Sequence, residues 1–441
     1  MPAELLAGAA SVIVTPDLGC PLAGFDARKG VAEKVHDDLF ARAVVLDDGV
    51  TRVALVSIEV LGVSKLFADR VRAEVEHRTG IPAAHVILSA THTHCAPVTL
   101  NHFFNQGQAL DEVYLDRLAS GIVASVVGAY EARKPQRLRT GFVPVEGVAV
   151  NRRTQDGLPR DDSAGVLLVE ELDGKPAAVS IFYPCHTTTL GPNTLEITAD
   201  FPYYTIQNLK QKLGPKVEIL YFNGAEGDLS VGHKSDLSAV GIIAPNRTFE
   251  RAKELGDRLA EAVATGLPSL MPETGVLRVE STEAPLPLKR YASVVEMKCR
   301  REQAGESMRK AEHQGLPDRD QILLKQASLF SRIEEYYALL AEGLPEPALL
   351  EAEITAIRIG STALLSLPGE VFVGISLSIR NRSPFATTMF LGLANDYIGY
   401  VPTKESNASL GYEVVASRVT PEADAVLTEA AVGLLERLNR R

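Results

Sequence analysis

Apolar and polar positions along this chain follow two periods, and the alternation between them predicts a mixed α/β protein. Short apolar runs bounded by Gly, Pro, Asn and Asp read as strands. The first covers residues 10–15 and is closed by Pro16. Asp48-Gly49 is a hairpin signal between strands at 41–46 and 52–58. Ser64 is placed to cap a helix that reaches about Arg78 and ends at Gly80-Ile-Pro82. A strand over 85–90 follows, then a helical period from Asp111 to Arg133 that stops at Lys134-Pro135. Strands are expected at 136–142, and at 164–170 with 177–183 about Asp173-Gly174. Residues 201–213 predict a helix, 217–222 a buried strand and 245–266 a long amphipathic helix. Residues 352–359 and 362–367 form a hairpin about Gly360. Pro368-Gly369-Glu370 opens a helix through Arg380, and 385–391 is a strand. A last helix starts with Thr420 as cap and Pro421 as first residue, and runs to Asn439. The expectation is a single 441-residue domain with mixed sheets and flanking helices. From 291 to 343 charges are dense and Leu, Ala and Glu frequent, which predicts a helical hairpin inserted into that domain and broken near Gly315-Leu-Pro317.

Five of these strands empty into polar loops. Val86-Ile-Leu88 runs into Ser89-Ala-Thr-His92-Thr-His94-Cys95, and the strand ending at Tyr183 runs into Pro184-Cys185-His186. The other three lead to Gly227-Asp-Leu-Ser230, to Glu370, and to Tyr397 and Tyr400. In an extended segment His92 and His94 point the same way, so both imidazoles can face one ion, or one ion and a substrate. Histidines and a carboxylate gathered at one sheet edge form a common zinc-hydrolase donor set, which needs three or four N or O ligands and one labile position. Each segment alone is weak: a Glu after Pro-Gly is usually a helix N-terminal carboxylate, and Gly-Asp-Leu-Ser is usually a turn.

Composition narrows the classes. The net charge of −11 argues against nucleic acid, whose backbone needs a basic face, and against a polybasic membrane dock. The four cysteines, 20, 95, 185 and 299, form no CxxC pair and no disulfide framework. No apolar run approaches a membrane-spanning length, and no signal-peptide pattern opens the chain, so a cytoplasmic protein without a stable membrane anchor is expected. Oligomeric state is not legible.

Taken together these segments resemble the neutral, non-lysosomal ceramidase family. Ser89-Ala-Thr-His-Thr-His94, Asn151-Arg152, Gly227-Asp-Leu-Ser230, Pro368-Gly-Glu370, Asn395-Asp-Tyr-Ile-Gly-Tyr-Val-Pro-Thr403 and Tyr412-Glu413 resemble its motifs in order along the chain. The resemblance implies a zinc amidase acting on N-acyl amides of ceramide type. Carried over, His92, His186, Glu370 and Tyr400 would bind Zn2+. His94, Arg152 and Tyr412 would line the carbonyl, and Ser230 corresponds to the serine proposed as nucleophile. A serine with no histidine base in its own motif is a poor nucleophile, so zinc-activated water is the preferred attacking group and Ser230 a positioning residue. His94 is the better candidate for proton transfer to the leaving amine. The chain departs from the family at Val231-Gly232, where proline is usual, and at Cys95-Ala96, where Ser-Gly is usual. The family's immunoglobulin-like C-terminal domain is expected to be absent.

Other classes fit less well. A hydrolase with the same ligands but a soluble amide or ester substrate is the nearest alternative. A metallo-β-lactamase pattern fails because Ala96 and Pro97 stand where Asp and His are needed. A binuclear amidohydrolase would place its HxH earlier, and a thiol hydrolase at Cys95 or Cys185 lacks an orienting motif. A metal-stabilised binding protein would have no need of an open coordination position.

Overall fold

A computed structural model describes residues 5–105, 109–314, 316–345 and 347–440. Two sheets carry the architecture. The larger runs, in spatial order, Glu218–Asn223, Pro176–Tyr183, Ser163–Glu170, Lys134–Pro144, Leu5–Ile13, Phe40–Asp47, Arg52–Ile58 and Val86–Ala90, with Met271–Pro272 also on Lys134–Pro144. It is antiparallel except at its two ends, where Glu218–Asn223 pairs parallel with Pro176–Tyr183, and Val86–Ala90 parallel with Arg52–Ile58. The smaller sheet orders Leu277–Pro287, Leu349–Ile359, Thr362–Ser366 and Thr387–Leu391, the last pair parallel.

The apolar clusters show how the layers stack. One joins Leu55, Leu167, Phe182 and Phe222 of the larger sheet to Ile357, Leu364 and Met389 of the smaller, so the sheets face each other across an apolar core. Their outer faces are covered by helices. Lys65–Thr79 and Glu112–Glu131 pack on one half of the larger sheet, Phe201–Leu213 and Phe249–Gly266 on the other, and Val373–Arg382 with Ala423–Arg440 on the smaller. The result is a mixed α/β fold of four layers, helices outside and sheets within. Strands buried on both faces read as continuous apolar runs, which is why Val86–Leu88 and Ile219–Phe222 were legible as strands.

Local signals fall where the sequence placed them in most cases. Ser64 caps Lys65–Thr79 and Gly80 ends it with φ 70°. Asp111 caps Glu112–Glu131, and Thr248 caps Phe249–Gly266, four residues later than expected. The inserted hairpin is Val294–Gln314 and Asp318–Ala341; Gly315, part of its expected break, lies outside the described residues. Two expectations are corrected. Glu370 does not open a helix: it sits in the two-residue strand Glu370–Val371, and the helix begins at Val373. The C-terminal helix spans Ala423–Arg440, with Pro421 in a preceding turn. The strand Leu277–Pro287, eleven residues long, was not foreseen, because its burial alternates too irregularly to carry a clear period.

Candidate metal centre

All five polar loops leave the C-terminal ends of their strands, three from the larger sheet and two from the smaller, and they meet at one end of the sandwich. The larger sheet coils enough to bring its two edge strands close. Ser57 Oγ donates to Tyr221 O at 2.5 Å, and Asn223 Nδ2 donates to Thr91 O at 3.3 Å. The loop after Val86–Ala90 thereby reaches the end of Glu218–Asn223, although these two strands stand at opposite ends of the sheet order.

His92 does not obey the strand alternation that pointed both imidazoles one way. It has left the strand with φ 67°, a left-handed conformation that costs a non-glycine residue on the order of 1–2 kcal/mol. That turn brings its ring to 4.9 Å from the His94 ring, with Nε2 to Nε2 at 3.2 Å. His186 stands edge-on to His92 at 4.8 Å. Glu370 and Tyr400 are cross-strand partners in a short parallel ladder, which places their side chains on one face.

Donor atoms of His92, His186 and Glu370 all lie within 4.8 Å of one another, and all three residues are buried. Glu370 Oε2 is 2.8 Å from His186 Nε2 and 3.5 Å from His92 Nε2. Each imidazole has its far nitrogen committed to carbonyls: His92 Nδ1 to Leu61 O at 2.8 Å, His186 Nδ1 to Glu226 O at 2.8 Å and Leu229 O at 3.0 Å. A carbonyl only accepts, so both Nδ1 atoms carry the hydrogen and both Nε2 atoms present lone pairs. Burial, then the Arg152 charge, push the His186 pKa down to about 4, so its imidazole is neutral at pH 7. Burial alone would raise the Glu370 carboxyl, but its imidazole neighbours, His92 first and then His186, oppose burial and hold it well below its ordinary value, so it is a carboxylate. Two imidazole lone pairs and a carboxylate oxygen thus converge without a proton between them. That donor set fits a divalent cation, and the carbonyl bonds behind the imidazoles are the supporting contacts that metal-ligating histidines ordinarily have. Tyr400 Oη is 3.5 Å from His186 Nε2, close enough to join the set. Tyr397, outside the expected ligand set, donates to the other Glu370 oxygen, Oε1, at 2.5 Å.

The Gly-Asp-Leu-Ser segment is built into this centre from behind. A Cβ on Gly227 would collide with Glu370 O, so only glycine lets the two loops meet. Asp228 accepts from Val373 N at 2.8 Å and Asn151 Nδ2 at 2.7 Å; burial first of all raises its carboxyl to about 6. Leu229 and Ser230 pair with Asn151 and Val150, and that pairing delivers the next residue, Arg152, to the site. Arg152 Nη2 donates to Gly227 O at 2.9 Å and Tyr400 Oη at 3.2 Å and lies 3.2 Å from His186 Nε2; its Nε is ion-paired with Glu413 Oε1 at 2.7 Å. Ser230 Oγ donates to His233 O at 3.0 Å and accepts from Gly232 N at 3.3 Å. Tyr412 and His94 line the same small cavity as Arg152 and Tyr400. His94 Nδ1 has no hydrogen-bond partner among the described residues, and burial, then the neighbouring imidazoles, push that residue's pKa well below the ordinary value. Cys95 and Cys185 are buried, and burial, the leading cause, raises both thiols, Cys95 to about 12, which leaves neither as a ready nucleophile. A larger cavity, of about 910 Å³, lies elsewhere, between Lys65–Thr79 and Glu112–Glu131, and none of the expected site residues lines it.

Sequence reasoning assigned no role to Glu413, though it stands in the Tyr412-Glu413 motif, and did not single out Arg247. Glu413 neutralises both Arg152 and Arg153, at 2.7 Å from each. Arg247 sits in the cavity wall with nothing in its neighbourhood of sequence to mark it.

Fold and site together define a two-sheet α/β protein with a buried His-His-Glu centre suited to a divalent metal. Residues 6–216 match the family model described as neutral/alkaline non-lysosomal ceramidase, N-terminal. Neutral ceramidases B and A of Dictyostelium discoideum are each 26% identical to this chain, over 132 and 130 residues; each match spans 26% of this chain and 18% of the relative's length. Two solved structures cover the whole chain at 18% identity. One is titled "Ceramidase complexed with C2", with TM-score 0.76 over 76% of its length, and the other is a neutral ceramidase from Pseudomonas aeruginosa, with TM-score 0.77 over 75%. The chain therefore has the neutral-ceramidase fold, and its N-terminal part matches that family's model, in line with the resemblance of the motifs.

Proposed function

We propose that the protein is a zinc-dependent hydrolase of an N-acyl amide bond, ceramidase-like in its chemistry. The observation that carries this is the convergence of His92, His186 and Glu370, with both imidazole Nδ1 atoms tied to carbonyls and both Nε2 atoms turned inward. Tyr400 completes the proposed cage. Zinc held there would polarise the acyl carbonyl and lower the pKa of water towards about 7.

The chain's own residues do the rest. Arg152 is held by Glu413, Gly227 O and Tyr400, so its guanidinium is fixed before substrate arrives and costs no reorganisation at an acyl oxygen that gains negative charge. Tyr412 lines the same cavity and supports that oxygen from another side. His94 is assigned to proton transfer. Hydrolysis adds water across the C–N bond: the hydroxyl goes to the acyl carbon and the departing nitrogen must gain the remaining proton, which the neutral His94 imidazole can take from the attacking water and pass on. Ser230 is assigned to positioning. Its hydroxyl is engaged with His233 O and Gly232 N, and no imidazole nitrogen is among its described partners, so it lacks the base that activates a serine.

Metal analysis tests the reading. The purified protein is expected to hold about one zinc per chain, and His92→Ala, His186→Ala and Glu370→Ala are expected to lose it. Zinc retained by all three would remove the proposed cage. Ser230→Ala is expected to keep its metal and a measurable turnover on an N-acyl amide. A loss of about 10⁴-fold or more with metal retained would instead make Ser230 the attacking group.

A further inference from the structure

Of the three imidazoles at the centre, His94 is the least tied. His92 and His186 are 1% and 0% exposed, and each has Nδ1 on a carbonyl. His94 is half-buried, and its Nδ1 has no hydrogen-bond partner among the described residues. Its other nitrogen meets His92 Nε2 at 3.2 Å, but that atom is a proposed metal donor, so its lone pair is not free for His94 in the loaded protein. An imidazole that moves protons must nevertheless hold its place, since a displacement of about 1 Å can cost roughly 10²-fold in rate.

Packing supplies what hydrogen bonds do not. Ala23 N donates to Ala96 O at 2.8 Å and Val98 N to Pro21 O at 3.2 Å, with Leu22 opposite Pro97 in an antiparallel bridge. Continued by two residues, that register sets Gly24 opposite Cys95 and Phe25 opposite His94. The rings of Phe25 and His94 do meet, 4.8 Å apart and inclined at 61° in the T-shaped manner that aromatic pairs prefer. Gly24 has φ 92°, and a Cβ there would come within 2.3 Å of the His94 ring. The Phe25 ring is itself held. Arg28 Nη1 donates to Ala23 O at 2.6 Å and its Nη2 to Cys95 Sγ at 3.6 Å, which ties the two segments a second time and brings its guanidinium to 5.1 Å over the Phe25 ring. The Arg247 guanidinium, fixed by Thr188 O, Leu190 O and Ser238 Oγ, lies 5.5 Å over the same ring.

We propose that Gly24 and Phe25 are positioning residues for His94. The glycine leaves the space that the imidazole fills, and the Phe25 ring fixes the plane of the imidazole. Both act through His94. The inference deepens the hydrolase reading and rests on it for the proton that His94 moves, while the clamp itself stands on packing.

The test is a double-mutant cycle on the zinc-loaded protein, with N-hexanoylsphingosine, a short-chain ceramide, as substrate. Phe25→Leu keeps an apolar side chain but removes the flat ring. It is expected to lower kcat by about 10- to 100-fold with KM and zinc content unchanged. Phe25→Tyr, which keeps the ring, is expected to restore most of that loss. In a His94→Gln background Phe25→Leu is expected to cost less than about twofold, because a residue that acts through the imidazole has nothing left to act on. Gly24→Ala is expected to displace the imidazole outright and to fall to the activity of His94→Gln. Melting temperatures guard against misfolding of each variant. A second readout needs no turnover. In protein isotope-labelled at its histidine rings, metal-free and zinc-loaded, the His94 NMR signal is assigned by its loss in His94→Gln. It is expected to be single and narrow in the parent protein, and to broaden or split in Phe25→Leu as the ring exchanges between orientations. An unchanged kcat, losses that add in the cycle, or a single narrow His94 signal in Phe25→Leu would overturn the inference and leave the hydrolase reading standing. A broadened signal in a protein that cleaves no amide in any form would leave the clamp standing and remove the hydrolase reading. No cleavage together with a narrow signal would remove both.

Discussion

Tyr397 shows how much a single hydroxyl can decide. It donates to Glu370 Oε1 at 2.5 Å, while Oε2 of the same carboxylate faces His186 and His92. The phenol thus orients the carboxylate and leaves one oxygen for a metal. Tyr397→Phe removes only that bond and is expected to weaken zinc affinity by about 10- to 100-fold, the usual cost of losing an orienting contact behind a ligand. Competition against a chromophoric chelator measures it, and an unchanged affinity would show that Glu370 holds its direction without help. At this scale the motif residues His92, His94, His186, Glu370 and Tyr400 were legible, because each ends an apolar strand. Glu413 and Arg247 were not. Arg152 and Glu413 stand 261 positions apart, and nothing local to either records that they neutralise each other.

Among elements, the clearest design is the seating of helix Glu112–Glu131 on strand Leu5–Ile13. Gly8 lets the strand approach so closely that an added Cβ would collide with Ala129 O, Arg133 N and the backbone of Ala132. The colliding atoms are backbone, so no rotamer change relieves them. Gly8→Ala is expected to destabilise the fold by about 1–3 kcal/mol, the range for overpacking, read as a lower midpoint in a urea titration with unchanged slope. An unchanged midpoint would mean that the helix slides freely on the sheet. The starts of helices with a local cap, such as those after Ser64 and Asp111, were readable to within a residue, since the cap bond closes within three positions. Pro368-Gly-Glu370 misled for a related reason. Its composition suits a helix start, but Glu370 N is bonded to Gly399 O in a ladder thirty residues away in sequence, and the longer-range pairing prevails over local preference.

For the whole molecule, the proposed ligands tie segments from both sheets. His92 and His186 follow strands of the larger, Glu370 and Tyr400 strands of the smaller. A metal bound only to the folded state would therefore clamp the two layers at one end. Zinc at a free concentration of about one hundred times its dissociation constant is expected to add about 2.7 kcal/mol of stability, and a chelator to remove it. Differential scanning calorimetry with and without chelator measures the shift; coincident transitions would show that no metal bridges the sheets.

By itself the chain's pattern determined which segments are strands and helices, and which strands end in reactive loops, because period, caps and turn residues act over a few positions. The motif order carried the family resemblance with it. Only the tertiary structure decided that sheet coiling brings opposite edges together, that His92 turns left-handed to face His94, and that Glu413 balances Arg152. Each of these rests on contacts between residues far apart in sequence, whose energies depend on distance in space.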